Sequence, residues 1–183
     1  MDRGYIYLNK NNYLHNIEVL KNLSRKELCL VVKANAYGHG LEWAVKNAKE
    51  SDVKWFAVAS VGEGIQVKTV YGESRVLLLA EPSKNQLENV KVNDIDLTVY
   101  NESFIDTLIK TGDEYSVHLK IDTGMHRLGC PPEKFHDLYK KILDSNLNLI
   151  GICTHFPLAD TNETETKKSI ELFEKTISGI DLS

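Results

Sequence analysis

Apolar residues along this chain fall into two alternating textures. Short, nearly continuous β-branched and aliphatic runs alternate with longer stretches in which apolar residues return at helical spacing. Strand-like runs lie at 5–8, 28–34, 55–60, 76–80, 96–100, 115–122 and 149–155. Of these, 28–34 suits a strand of a parallel sheet buried on both faces. A helix capped by Asn11 or Asn12 is expected to carry Leu14, Ile17, Leu20 and Leu23 on one face. Another covers 41–50, with Trp43, Ala44, Val45 and Ala48 as its apolar residues. Further helical patterns occupy 82–89, 102–110, 133–145 and 163–178, the last with Ile170, Phe173 and Ile177 at helical spacing. The chain shows neither an internal repeat nor a low-complexity linker.

Strand and helix in alternation predict a parallel sheet, because parallel neighbours cannot be joined by a tight turn. An open doubly wound sheet and a closed (β/α) barrel both satisfy that pattern. About six βα units follow the first short strand, whereas a closed barrel has eight, in typically ~250 residues. A barrel reading therefore places about six of the eight units here. Within 115–122, His118, Lys120 and Asp122 alternate with Val117, Leu119 and Ile121, so one strand face is apolar and the other ionisable. An edge strand facing solvent would show this pattern, and so would a barrel strand whose polar face carries paired or functional charge.

Composition narrows the classes. The 183 residues are 42% hydrophobic and 26% charged, the balance of an ordinary globular protein rather than a disordered or collagen-like one. Twenty-two Lys+Arg against 26 Asp+Glu leave a net charge of −4, with no basic field for nucleic acid or anionic lipid. No apolar run approaches the ~18 residues of a membrane span, and the first residues lack a secretory apolar region. Cys29, Cys130 and Cys153 are odd in number and lack metal-ligand spacing, as expected of reduced thiols in a cytoplasm and of a chain without a metal site.

Candidate chemistry concentrates after the 28–34 run. Lys33 stands at that strand's C-terminal end, where the active sites of barrels gather. Partial removal from water there favours the neutral amine that Schiff-base chemistry needs. By itself such a lysine also fits a side chain reaching back to water. Gly38 and Gly40 flank His39 before a helix, which fits a plain turn or an anion-binding helix start.

The run Val31-Val32-Lys33-Ala34-Asn35-Ala36-Tyr37-Gly38-His39-Gly40 resembles the pyridoxal-phosphate (PLP) lysine motif of alanine racemases. A second stretch, from Leu119 and Lys120 through Asp122-Thr123-Gly124-Met125-His126-Arg127 to Gly129, is similar to that family's arginine segment. Thr154-His155-Phe156 is similar to its histidine loop. The three motifs occur in family order across essentially the whole chain, which corresponds to about the first half of a typical member. The resemblance implies a PLP-binding (β/α)8-type TIM barrel, represented by its N-terminal part over residues 1–183, with the family's C-terminal β-domain absent. It also implies interconversion of L- and D-alanine by two-base proton transfer at Cα, in the cytoplasm, to supply cell-wall peptidoglycan.

Carried over residue by residue, Lys33 would hold PLP and act as one of the two acid–base groups. Tyr37 would bind the cofactor phosphate. Arg127 would reach the cofactor and the substrate carboxylate, a role its planar fork suits better than a lysine. Lys120 occupies the position often N-carboxylated in the family, where the carbamate orients Arg127. His155 would sit beside the pyridine ring, on a strand face shared with the small residues Gly151 and Cys153, which leave room for a cofactor. The opposing base belongs, in the family, to the β-domain of a homodimer partner. Two other readings share part of these motifs: a PLP-binding barrel protein without turnover, and a serine-selective racemase. A decarboxylase relative departs from the pattern at Tyr37 and Gly38.

Overall fold

A computed structural model describes residues 4–180. Six parallel strands run in sequence order: β1 (Cys29–Val31), β2 (Trp55–Val58), β3 (Arg75–Leu78), β4 (Ile95–Val99), β5 (Ser116–Lys120) and β6 (Asn148–Cys153). A helix follows each strand: α2 (Leu41–Ala48), α3 (Val61–Val70), α4 (Leu87–Val92), α5 (Glu102–Thr111), α6 (Phe135–Leu143) and α7 (Glu163–Thr176), with α1 (Lys10–Ser24) ahead of the sheet. Six βα units of a parallel α/β fold are therefore present, as the alternation predicts. The chain divides into two compact units, Met1–Asp96 and Leu97–Ser183.

In the first unit, Cys29 pairs with Trp55 and Trp55 with Arg75, so β1, β2 and β3 are in register at their starts. Phe56, Val58, Val76 and Leu78 are fully buried, and Val45, Ala48 and Val67 from α2 and α3 join that core. In the second unit β5 lies between β4 and β6. Leu97, Val117, Leu119, Ile105, Leu108, Phe135 and Ile142 form its core. His118 is only 5% exposed. The polar face of β5 is thus an interior face, and the solvent-edge alternative is excluded.

Several boundaries differ from the sequence pattern. Residues 5–8 form no strand; Tyr5, Ile6 and Tyr7 are exposed, and an extended segment without a neighbour to accept its ladder bonds is not a strand. The cap of α1 is Asn9, whose side chain accepts from Asn12 N at 3.0 Å, rather than Asn11 or Asn12. Only Ile17 of its expected apolar face is buried, while Leu20 and Leu23 stay exposed. In α7 the turn-to-turn packing buries Ser169 and Thr176 and leaves Ile170 at the surface. The helix α3, which apolar periodicity does not reveal, starts at a capping box in which Ser60 and Glu63 satisfy each other's backbone N–H. Among the described residues no helix is long and apolar enough to cross a membrane.

Candidate active site

The parallel ladder continues one residue past β1, with Val32 N donating to Ala57 O at 2.9 Å. Lys33 comes next, half-buried, and the chain then winds the wrong way for L-residues. Ala34, Asn35, Ala36 and Tyr37 all have φ between 51° and 55°, forming a single left-handed turn. Each non-glycine residue in that region costs ~1–2 kcal/mol, so the run needs support from its surroundings.

Most of the support is local. Ala36 N donates to Val32 O at 2.8 Å, Gly40 N to Asn35 O at 2.9 Å, and Leu41 N to Asn35 Oδ1 at 2.8 Å. His39 Nδ1 lies 2.8 Å from Ala36 O, so that nitrogen carries the proton and donates. One bond arrives from elsewhere: Ala34 N donates to Glu63 Oε1 at 2.6 Å. The other oxygen of Glu63 accepts from Ala59 N at 3.0 Å and Ser60 N at 3.2 Å. The turn leaves Lys33 Nζ 6.0 Å from the centroid of the Tyr37 ring, and Tyr37 is 61% exposed. Tyr37 borders a cleft of about 450 Å³ also lined by Val31, Ala36 and Trp43, whereas Lys33 does not line it.

In the second unit, Lys120 ends β5 in register with Cys153. Burial pushes the Cys153 thiol up to about 11, an effect that the Lys120 charge opposes. After Lys120 a loop closes on itself. Cys130 N donates to Lys120 O at 2.8 Å and Asp122 N to Cys130 O at 2.9 Å, bridging Ile121 to Cys130. Inside it, Asp122 Oδ1 accepts from Gly124 N, Met125 N and His126 N at 2.9, 3.0 and 3.0 Å. Burial alone would raise the Asp122 carboxyl, but these N–H groups and the nearby His126 outweigh it and hold it below the usual carboxylate range. Gly129, at φ +136°, allows the closure; a Cβ there would meet the Asp122 backbone N at 2.5 Å.

The loop presents Arg127 to solvent. His155, just beyond β6, is exposed as well. The preceding Thr154 donates to Ile121 O at 2.9 Å, and its hydroxyl oxygen is 2.7 Å from that of Thr123, which therefore donates to it. The arginine and histidine segments are tied together by this threonine pair. Space over Gly151, expected to be free for a ligand, is instead filled by the imidazole of His118, against which a Cβ at Gly151 would clash.

Each unit thus gathers its own motif residues at strand C-termini: Lys33 and Tyr37 after β1, and Lys120, Arg127 and His155 at the ends of β5 and β6. Sequence reasoning missed Glu63, although Ser60-x-x-Glu63 ahead of an apolar run is a legible helix start. Among the described residues no cluster of three His, Cys, Asp or Glu is placed to hold a metal ion.

The family model described as alanine racemase, N-terminal domain, matches residues 8–182. The chain belongs to that family. It is 35% identical to the alanine racemase of Treponema denticola over 181 residues, which is 93% of this chain and 48% of that protein. It is 32% identical to the alanine racemase of Fusobacterium nucleatum over 185 residues, 98% of this chain and 52% of that one. The chain therefore spans about half the length of the curated relatives it matches. The solved alanine racemase of Oenococcus oeni superposes with a TM-score of 0.86 at 27% identity, covering 94% of this chain and 52% of its own. That of Clostridium difficile in complex with cycloserine superposes with a TM-score of 0.80 at 29% identity, covering 91% and 48%.

Proposed function

We propose that residues 1–183 form the N-terminal barrel part of a PLP-dependent alanine racemase. It interconverts L- and D-alanine in the cytoplasm and feeds D-alanine to peptidoglycan synthesis. The full activity needs a second region, in a homodimer, to supply the opposing acid–base group. The observation that carries this reading is the strained left-handed turn immediately after Lys33, because a fold maintains such a conformation where it positions a functional group.

The residues present suit the cofactor. Lys33 is a half-buried amine with no carboxylate partner among the described residues, and Tyr37 offers an exposed phenol one turn further on. Bound PLP withdraws electrons from the substrate α-carbon and makes its proton removable. Lys33 Nζ holds the cofactor and moves a proton at one face of that carbon. Tyr37 Oη donates to the cofactor phosphate. Arg127 grips the substrate carboxylate with its fork, which the closed loop around Asp122 presents outward. Lys120, N-carboxylated, orients Arg127, and His155 flanks the cofactor ring.

The test is the absorption of the protein titrated with PLP, together with D-alanine formation once the second region is supplied. A visible band present in the wild type and missing in Lys33→Ala, with racemisation following the band, is the expected result. A band that persists in Lys33→Ala contradicts the assignment.

A further inference from the structure

We propose that Glu63 is the positioning residue for Lys33, fixing the peptide plane from which the lysine side chain departs. This rests on the reading of Lys33 as the cofactor lysine. The peptide joining Lys33 to Ala34 has its N–H held by Glu63 Oε1 at 2.6 Å, and Ala34 is the first residue of the left-handed run. Every other backbone hydrogen bond of Ala34–Tyr37 is made with the segment from Val32 to Leu41. Among the described residues Glu63 is thus the one hydrogen-bonding anchor that ties the turn to the rest of its unit.

The same carboxylate accepts from Ala59 N and Ser60 N, directly after β2. One side chain therefore links the C-terminal ends of two adjacent parallel strands. A capping box needs only the bond from Glu63 back to the Ser60 N–H. The bond from Ala34, 29 residues away in sequence, contributes nothing to starting α3. Its acceptor is a carboxylate, and hydrogen bonds to a charged acceptor are about twice as strong as neutral ones. A glutamine cannot replace it: its single oxygen can serve Ala34 or the cap, and its NH2 then faces another N–H donor.

Two variants separate positioning from helix capping. Glu63→Gln disturbs both the cap and Ala34; Ser60→Ala removes the cap hydroxyl, which accepts from Glu63 N at 3.3 Å, and does not touch Ala34. In Glu63→Gln we expect the Ala34 amide to exchange roughly tenfold faster or more, and the visible band to require roughly tenfold more PLP. In Ser60→Ala both stay within about twofold of the wild type, although both variants lower thermal stability through the cap. If Glu63→Gln does not fold, Glu63→Asp, one methylene too short to span both strand ends, carries the same comparison.

Unchanged Ala34 exchange in Glu63→Gln, or matching changes in Ser60→Ala, overturns the assignment of Glu63. A wild type that shows no PLP band at any concentration overturns the cofactor reading instead. The amide exchange, which needs no cofactor, then still decides whether Glu63 holds the turn.

Discussion

Glu63 in the first unit and Asp122 in the second each collect three backbone N–H groups, and each supports a segment that carries a motif cation. They do so over different lengths of chain. Asp122 accepts from residues two, three and four positions ahead, folding its own loop so that Arg127 is presented at the surface. Glu63 reaches back 29 residues to the first N–H of a turn whose other hydrogen bonds are local. The carboxylate of the arginine loop serves only its own loop, whereas the lysine turn takes one of its hydrogen bonds from the carboxylate of the next βα unit. In the proposed function both cations have to be aimed, Lys33 through the Glu63 anchor and Arg127 through Lys120 at the base of its loop.

The strongest way to break the comparison is to break the arginine loop. Gly129→Ala places a methyl against the Asp122 backbone at a left-handed φ, which backbone cannot evade as a flexible side chain could. A loss of about 3 kcal/mol or more from the second unit is expected. Denaturant unfolding checks it, and the Ala34 amide should exchange as in the wild type.

Asp122→Asn is milder. Its amide oxygen still accepts, so only the charge assistance disappears, about 1–2 kcal/mol at neutral pH. That difference should vanish in acid, and the sign follows from the lowered carboxyl. A group held below its unfolded value near 3.9 stabilises the fold above that pH, and the contribution is lost as pH falls through the lower folded value. Unfolding measured from pH 6 downward should show the wild type approaching Asp122→Asn below about pH 4; parallel curves would contradict the assignment. Ser60→Ala, the smallest effect, should cost about 1 kcal/mol as a lost helix cap, read from the same unfolding curves.

Much of this was legible in the amino-acid pattern. Six of the seven apolar runs became parallel strands. The expectation that 28–34 is buried on both faces fails: β1, first in the strand order, has one neighbouring strand among the described residues and leaves Val31 exposed. The strand β6, last in the order, is likewise only part-buried. The motif residues Lys33, Tyr37, Lys120, Arg127 and His155 fell at strand ends because strand lengths are set by the apolar runs that precede them. Asp122 read as the last ionisable residue on the polar face of the 115–122 run, not as the residue that folds the loop after it. What stayed hidden depended on partners distant in sequence. The left-handed winding of Ala34–Tyr37 has no signature in residues that ordinarily favour right-handed helix. Glu63 announced a helix start and nothing about the turn it secures. His118 read as one of three ionisable residues on a face, yet its ring fills the space over Gly151 that the small residues were expected to leave open.

The most direct measurement is chemical. The protein is incubated with PLP, reduced with borohydride, digested, and the modified peptide identified by mass. The account predicts a single label on the peptide containing Lys33, lost in Lys33→Ala. A label on another lysine, or an equal yield from the Lys33→Ala protein, would contradict it.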